Sequence, residues 1–137
     1  DNLQAAILNF FFQTFDQTIA RRRSIAELYQ ENLQDIQNIK LPPAPTSSDD
    51  HFDVFQNYEI ETEKRDELKN YLFNNGIGTL IQWGGKAVHE FTDLGFSQNL
   101  PNTERIMRNS LMLPLNMTVT NDEILFISKK IRNFFNA

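Results

Sequence analysis

The sequence predicts a single α+β domain in which helices pack on a small, largely antiparallel sheet. Apolar stripes that recur every three to four residues alternate with short runs of alternating polarity, and these two periods are typical of helices and strands. The two kinds of segment follow no regular strand–helix–strand order, which favours α+β over a parallel α/β class. The chain has 137 residues, of which 40% are hydrophobic, so one domain can build its own core.

A long helix is predicted over residues 2–36, because Pro and Gly are absent before Pro42 and apolar residues recur at helical spacing. A bend is expected near Asp16–Thr18. The apolar arc widens at Phe10–Phe12, which predicts that this helix packs on two sides. Twelve phenylalanines are many for one small core, so we expect some to face another domain or subunit. Residues 41–50 read as a loop rich in Pro, Ser and Asp.

The body of the domain is predicted over residues 51–137, with strands and helices mixed. The first half contains a strand over 52–60, a helix over 63–75 capped by Thr62, a strand over 77–82 and a turn at 83–85. The second half contains a helical turn over 86–91, a loop over 94–100, a helix over 101–110 starting at Pro101 and a strand over 111–113. A final helix follows the Thr120–Glu123 capping box. Gly76 is expected to end the first of these helices in a left-handed conformation. Alternation in the first strand places Phe52, Val54, Tyr58 and Ile60 on its buried face.

Charge and composition exclude several functional classes. The net charge of -5 argues against a nucleic-acid partner, which needs a dominant basic face. Arg21–Arg23 are spread around a helix at about 100° per residue, so we expect a solvated or salt-bridged surface there instead of an anion site. No apolar run approaches the roughly 20 residues of a membrane helix. Cysteine is absent, which excludes disulfides and thiolate metal sites and fits a cytoplasmic protein.

The densest group of candidate binding residues lies in one short segment that contains the sole tryptophan. The candidates for substrate binding are Gln82, Trp83, Gly84, Gly85, Lys86 and His89. Two glycines allow the backbone to approach a ligand closely. A helix that starts near Lys86 would direct its N–H groups at an anion such as phosphate. The alternative is a tight strand-to-helix turn anchored by the tryptophan, and the local pattern leaves both interpretations open.

Other catalytic and metal-binding motifs fit poorly. A P-loop needs glycine where Leu80 stands and Ser or Thr where Ala87 stands. The two histidines, His51 and His89, lie far apart in sequence and in no metal-binding spacing, so no metal site is predicted. Asp49–Asp50 beside His51 read as a solvated loop. No nucleophile motif is present, although Lys86 would be able to form an imine if it were desolvated.

Several ordered segments together resemble the DegT/DnrJ/StrS sugar aminotransferases. The matching segments are Asn2–Leu8, Arg21–Arg23 with Ala26, Tyr29 and Leu33, Arg65–Leu68 with Tyr71–Leu72, Asn75–Thr79, His89, Leu94–Phe96, Leu100–Pro101, Glu104 and Leu113–Pro114. Each match is short, but together they keep the family's order over nearly the whole chain. Many members carry H-Y-P-x-P-L-H where this chain has Gln82–His89. This departure leaves only His89 as a direct counterpart.

The resemblance implies a fold, a cofactor and partners. Members are pyridoxal-phosphate (PLP) enzymes of the aspartate aminotransferase fold that work as homodimers and move an amino group, usually from glutamate, to a nucleotide-linked keto-sugar. This chain resembles their carboxy-terminal small domain. The Schiff-base lysine belongs to the large domain of the family, so no catalytic or cofactor-binding residue is assigned here. The segment that corresponds to Gln82–His89 lines the sugar-nucleotide pocket in the family.

Three interpretations of function follow. The first is the small domain of a sugar-nucleotide aminotransferase, which on its own is expected to be inactive, to bind no PLP and to self-associate through the first helix. The second is a protein-interaction module that docks through this phenylalanine-rich helix. The third is an independent phosphate-binding domain centred on Gly84–Lys86, which predicts nucleotide binding by this chain alone.

Overall fold

Five α-helices and two β-strands make up the computed structural model, which describes residues 1–46 and 52–136. In chain order they are α1 (Asn2–Phe12), α2 (Phe15–Leu33), β1 (Tyr58–Glu61), α3 (Arg65–Asn74), α4 (Pro101–Asn109), β2 (Ser110–Leu113) and α5 (Asn121–Phe135). Short 3₁₀ turns cover Gln82–Gly85, Val88–Glu90 and Thr92–Leu94. The predicted α+β class is confirmed.

The sheet is antiparallel and consists of β1 and β2. Tyr58 pairs with Leu113 and Glu61 with Ser110. One further bridge flanks each strand, Lys40 beside Glu61 and Leu80 beside Met112. An isolated pair of strands is at best marginally stable in water, so this layer depends on the helices that cover it.

The core lies where α2, α5 and α3 cover one face of the sheet. Its buried apolar members include Ile25, Ala26, Tyr29 and Leu33 of α2, Leu68 and Leu72 of α3, Ile124, Ile127 and Ile131 of α5, and Tyr58, Ile60, Leu111 and Leu113 of the strands. The rings of Tyr29 and Tyr58 stack with their centroids 4.8 Å apart. The Tyr29 hydroxyl donates a hydrogen bond of 2.9 Å to the carbonyl of Pro114, so α2 is tied to the end of β2.

The first helix contributes nothing to this core. None of the residues of α1 is buried, and its large apolar side chains, Leu3, Ile7, Leu8, Phe10, Phe11 and Phe12, are all exposed. Of the twelve phenylalanines, all within the described residues, Phe55 alone is buried. Most of these rings therefore lie outside the domain's own core, and the expectation that some of them face another domain or subunit stays a prediction.

The single helix predicted over residues 2–36 is wrong, because the chain breaks at Gln13–Thr14. Thr14 leaves the helical conformation with φ −119° and ψ 12°. Its hydroxyl donates to the carbonyl of Phe11 at 3.4 Å, a local bond of the kind that competes with the helical ladder. The break falls before the bend expected at Asp16–Thr18. The second helix then ends at Leu33.

The strand predicted over residues 52–60 is also wrong in its first half. Phe55 has a positive φ of 50°, which ends the extended backbone, and strand pairing begins at Tyr58. The buried face therefore differs from the expected one. Phe55 is buried, whereas Phe52 and Val54 are 69% and 40% exposed.

The arginines of α2 explain why this strand starts late. Arg22 donates from Nη1 to the carbonyls of Phe55 and Gln56, at 3.1 and 2.8 Å, and so binds carbonyls that a neighbouring strand would otherwise pair. Arg23 binds the carbonyls of Asp53 and Pro45 at 2.6 and 2.7 Å.

Arg21 follows the same pattern and binds the carbonyl of Val119 and the side chain of Asn121. The three guanidinium groups therefore tie loops to α2. Within residues 1–46 and 52–136, Arg21–Arg23 are half-buried and bind carbonyl and amide oxygens, which differs from the solvated or salt-bridged surface expected for them.

Two smaller boundaries also change. The helix predicted over 63–75 begins at Arg65, because the Thr62 hydroxyl accepts a bond from Lys64 N and lies two residues before Lys64, the residue at the N-cap position. The strand predicted over 77–82 is reduced to a single bridge at Leu80. Gly76 takes the expected left-handed conformation with φ 78°. Asp49, Asp50 and His51 lie outside the described residues.

Replacing Arg22 with alanine tests the role of these tethers. We expect Arg22→Ala to lower the free energy of unfolding by about 1.5–3 kcal/mol, the scale of hydrogen bonds from a charged donor. The measurement is urea unfolding followed by circular dichroism. Lys129→Ala, at an exposed position of α5, is the control and should change stability by less than about 0.5 kcal/mol. Equal effects of the two substitutions would contradict the tether.

Candidate functional site

The segment that the sequence singled out forms a tight turn with a strained tryptophan at its centre. Trp83 has φ 53° and ψ 27°, a left-handed conformation that costs a residue with a side chain about 1–2 kcal/mol. Trp83 is also 76% exposed. Local strain that exposes a large aromatic ring is common at binding sites and motivates a functional hypothesis.

The two glycines of this turn have different reasons to be there. Gly84 has φ 65°, and a methyl group in place of its α-hydrogen would meet open space. Gly85 has φ 75°, and the same methyl group would lie 2.9 Å from Arg65 Nη1 and 3.3 Å from the carbonyl oxygen of Met107. Arg65 donates to that carbonyl at 2.7 Å. The close approach at Gly85 is thus made to the protein itself, where the sequence suggested a ligand.

The expected helix start at Lys86 is absent. Lys86 and Ala87 are extended, and the helical turn that follows covers just Val88–Glu90. The carboxylate of Glu90 accepts the N–H of Ala87 at 2.7 Å, so this donor already has an anionic partner within the turn. The helix N-terminus on which the anion interpretation depended is therefore absent, and Lys86 itself is exposed.

A pocket of about 560 Å³ opens beside this turn. Its lining residues are Trp83, Lys86, Ala87, Val88, His89, Phe91, Leu100, Thr103 and Met107. It therefore brings together three of the predicted site residues, Trp83, Lys86 and His89, among predominantly apolar neighbours. Gly84 and Gly85 do not line it. A mostly apolar pocket with a few polar groups is typical of a small-molecule site.

The opposite wall of the pocket comes from α4, and residue-by-residue motif analysis missed it. Leu100, Thr103 and Met107 line this wall, at spacings of three and four residues. Such spacing places side chains on one face of a helix. A helix was predicted over 101–110, and the spacing of apolar residues along it was the signal that could have identified the face that lines the pocket.

A histidine–glutamate pair joins the two walls. His89 is buried, and its Nε2 lies 3.3 Å from Oε1 of Glu104. The same oxygen accepts the N–H of Leu100 at 3.3 Å. The bond from His89, followed by that from Leu100, lowers the pKa of the Glu104 carboxyl. The carboxylate is therefore ionised at neutral pH.

Gln82 lines a separate, smaller pocket of about 120 Å³ on the other side of Trp83. Glu59 of β1 also lines it. Burial, followed by the charge of Glu61, raises the pKa of the Glu59 carboxyl. Glu61 behaves in the opposite way, because hydrogen bonds from Lys40 and Arg105 lower its pKa.

Lys86, the candidate for an imine, is exposed, and its Nζ lies 5.9 Å from the ring centre of Phe91. The desolvation that an imine-forming lysine requires is therefore not present at this position. Within residues 1–46 and 52–136, His, Asp and Glu side chains form no group of three that could hold a metal ion. In the same two stretches, no helix has the length and apolar character needed to cross a membrane.

Comparison with known proteins defines the class. The sequence pattern of the DegT/DnrJ/EryC1/StrS aminotransferase family matches residues 1–132, and the chain belongs to this family. The structure is similar to that of DesV from Streptomyces venezuelae in complex with a ketimine intermediate. The TM-score is 0.89 with 28% sequence identity, over 100% of this chain and 37% of DesV. The fold is that of the corresponding third of DesV.

Two relatives in sequence illustrate the range of the family. The chain is 30% identical to the pleiotropic regulatory protein of Geobacillus stearothermophilus, over 98% of this chain and 37% of that protein. It is 27% identical to the dTDP-3-amino-3,4,6-trideoxy-alpha-D-glucose transaminase of Streptomyces venezuelae, over 98% of this chain and 35% of that enzyme. The chain thus spans about a third of the length of these relatives.

The two glycines can be told apart by substitution. Gly84→Ala should lower the free energy of unfolding by about 1–2 kcal/mol, because a residue with a side chain is disfavoured in the left-handed backbone conformation of this position. Gly85→Ala should cost more, since the added methyl group also collides with Arg65. Urea unfolding of both variants is the measurement. A Gly85→Ala variant as stable as Gly84→Ala would show that the contact with Arg65 relaxes at no cost.

The opposite pKa shifts of Glu59 and Glu61 predict opposite effects of pH. The raised pKa of Glu59 means that the folded state binds the proton more tightly than the unfolded chain. Stability is therefore lost as pH rises from the ordinary carboxyl value of about 4.3 through the folded pKa. We expect Glu59→Gln to be more stable than wild type at pH 7, with the difference shrinking near pH 4.

Glu61→Gln is the matched control for this prediction. The lowered pKa of Glu61 in the wild-type protein stabilises the fold at pH values above the ordinary carboxyl pKa. This stability is lost as pH falls through the pKa of the folded state. This variant should therefore be less stable than wild type at pH 7. Urea unfolding at pH 7 and pH 4 measures both, and effects of the same sign at pH 7 would contradict the assignment.

Proposed function

We propose that this chain is the small domain of a PLP-dependent aminotransferase that acts on a nucleotide-linked keto-sugar, with an amino acid, glutamate in the family's pattern, as donor. Support comes from membership of the aminotransferase family and from relatives named as dTDP-sugar transaminases. PLP would be held by parts of the protein outside this chain, since the described residues lack a buried lysine. The proposal includes a homodimer in the cytoplasm.

The observation that carries the proposal is the pocket between Trp83 and α4. Its exposed, strained tryptophan offers a flat surface on which a sugar or a base can pack. Lys86 adds a positive charge at the rim, which suits the diphosphate of a nucleotide sugar. The apolar lining of Val88, Leu100 and Met107 suits a sugar with few hydroxyl groups. Gln82, at the neighbouring pocket, is kept as a candidate contact, whereas Gly84 and Gly85 shape the turn.

The exposed first helix supports the presence of a large domain that covers it. The apolar side chains of α1 are all exposed, and exposed patches of this kind mark interaction surfaces. An interaction module with no catalytic role would show the same helix. Family membership over residues 1–132 favours the enzyme.

Kinetics of the full-length protein test the role of the pocket. Trp83→Ala should raise KM for a dTDP-keto-sugar about five- to hundredfold, the equivalent of roughly 1–3 kcal/mol of stacking. Trp83→Phe should keep most of the affinity because it keeps an aromatic face. Lys86→Ala should raise KM most at low salt, since screening weakens the charge contact.

Controls separate the outcomes of this experiment. Lys129→Ala removes an exposed charge on α5 and should leave kcat/KM unchanged. Residues 1–137 alone should show no turnover and no absorption band of a PLP imine. Unchanged kcat/KM in both Trp83→Ala and Lys86→Ala would remove these residues from the substrate site. A full-length protein without a PLP imine band would contradict the enzyme and favour the interaction module.

A further inference from the structure

Glu104 makes two bonds at the pocket, one across to the turn that holds His89 and one within its own wall to Leu100. One carboxylate oxygen lies 3.3 Å from His89 Nε2 and 3.3 Å from the backbone nitrogen of Leu100. His89 belongs to the turn beside Trp83, and Leu100 precedes the first residue of α4. Both residues line the pocket, whereas Glu104 does not. Glu104 therefore acts on the pocket through its two neighbours.

The chemistry of this carboxylate fixes the proton of His89. An ionised carboxylate can only accept hydrogen bonds, and Glu104 is ionised at neutral pH. The ring nitrogen that faces it must therefore carry the proton. In a neutral imidazole the other nitrogen, Nδ1, is then an acceptor. Among the described residues, no donor reaches Nδ1 of His89.

His89, which carries this acceptor, lines a pocket with few other polar groups. The remaining polar side chains of the lining are Lys86 at the rim and Thr103 on α4. In a mostly apolar pocket, a small number of polar groups orient the ligand. A buried histidine with one free acceptor nitrogen favours a ligand group that donates a hydrogen bond over one that lacks a donor.

We propose that Glu104 is a positioning residue for substrate binding: it holds His89 in the tautomer whose Nδ1 accepts a hydrogen bond from the ligand. The donor on the ligand is a sugar hydroxyl or the imide N–H of a pyrimidine base. The identity of the ligand rests on the proposed function, whereas the role of Glu104 rests on the bonds to His89 and Leu100.

Paired substitutions in the full-length protein test the role. Glu104→Ala loses both bonds and should raise KM for a dTDP-keto-sugar about tenfold, the order of one hydrogen bond to the ligand, with kcat within about twofold. Glu104→Gln keeps a carbonyl oxygen that accepts both bonds, so its KM should stay within about threefold of wild type. Glu67→Ala, an exposed glutamate on α3, is the control.

A change at His89 guards against simple loss of folding. Gln places its amide near the position of Nε2, so His89→Gln keeps a donor to Glu104 and removes the acceptor at Nδ1. Its KM should rise as much as that of Glu104→Ala, and the two effects should not add in the double variant. Additive effects, an unchanged KM in Glu104→Ala, or a Glu104→Gln variant as impaired as Glu104→Ala would each overturn the proposal.

Binding of dTDP alone identifies the donor. If the variants weaken the binding of dTDP as much as that of the sugar nucleotide, the base donates the hydrogen bond to His89. If they weaken only the binding of the sugar nucleotide, a sugar hydroxyl donates it. Both outcomes support the role of Glu104. Wild-type protein that neither binds nor turns over the sugar nucleotide would refute the proposed function. ¹⁵N spectra of histidine-labelled protein, assigned with His89→Gln, then decide the tautomer, and a protonated Nδ1 would overturn the inference.

Discussion

The small size of the sheet is the constraint on which the rest of the structure depends. Two four-residue strands cannot hold together in water without a covering layer. Here the cover is α2 and α5, and the stack of Tyr29 on Tyr58 is the contact that fixes helix to strand. Burial raises the pKa of both tyrosine hydroxyls far above the ordinary range, so each ring remains neutral within the core at physiological pH.

The site inherits its geometry from this arrangement. Met112 of β2 pairs with Leu80, and this bridge brings the chain to the turn at Trp83. Arg65 at the start of α3 donates a hydrogen bond to the carbonyl of Met107 near the end of α4. The pocket is thus bounded by a turn and a helix that are each bonded to the same layer. Neither wall depends on the exposed first helix.

Sequence periodicity was sufficient for the elements that bury one clear face. The last helix has a capping box in which Thr120 and Glu123 bond to each other's backbone, and its start was predicted from that box. Prediction was wrong where side chains bind a distant backbone. Periodicity does not register that Arg22 occupies the carbonyls of Phe55 and Gln56, and so the strand was placed too early. Similarly, the pairing of His89 with Glu104, 15 residues apart, required the folded chain.

The double contact of Arg23 has a consequence for how this region can change between related proteins. A single guanidinium holds the carbonyls of Pro45 and Asp53, so the two ends of the intervening segment are fixed at one point on α2. Because both bonds come from one side chain, a substitution of Arg23 releases the carbonyls of Pro45 and Asp53 together. A related protein that lacks this arginine must anchor both backbone positions on α2 by other contacts.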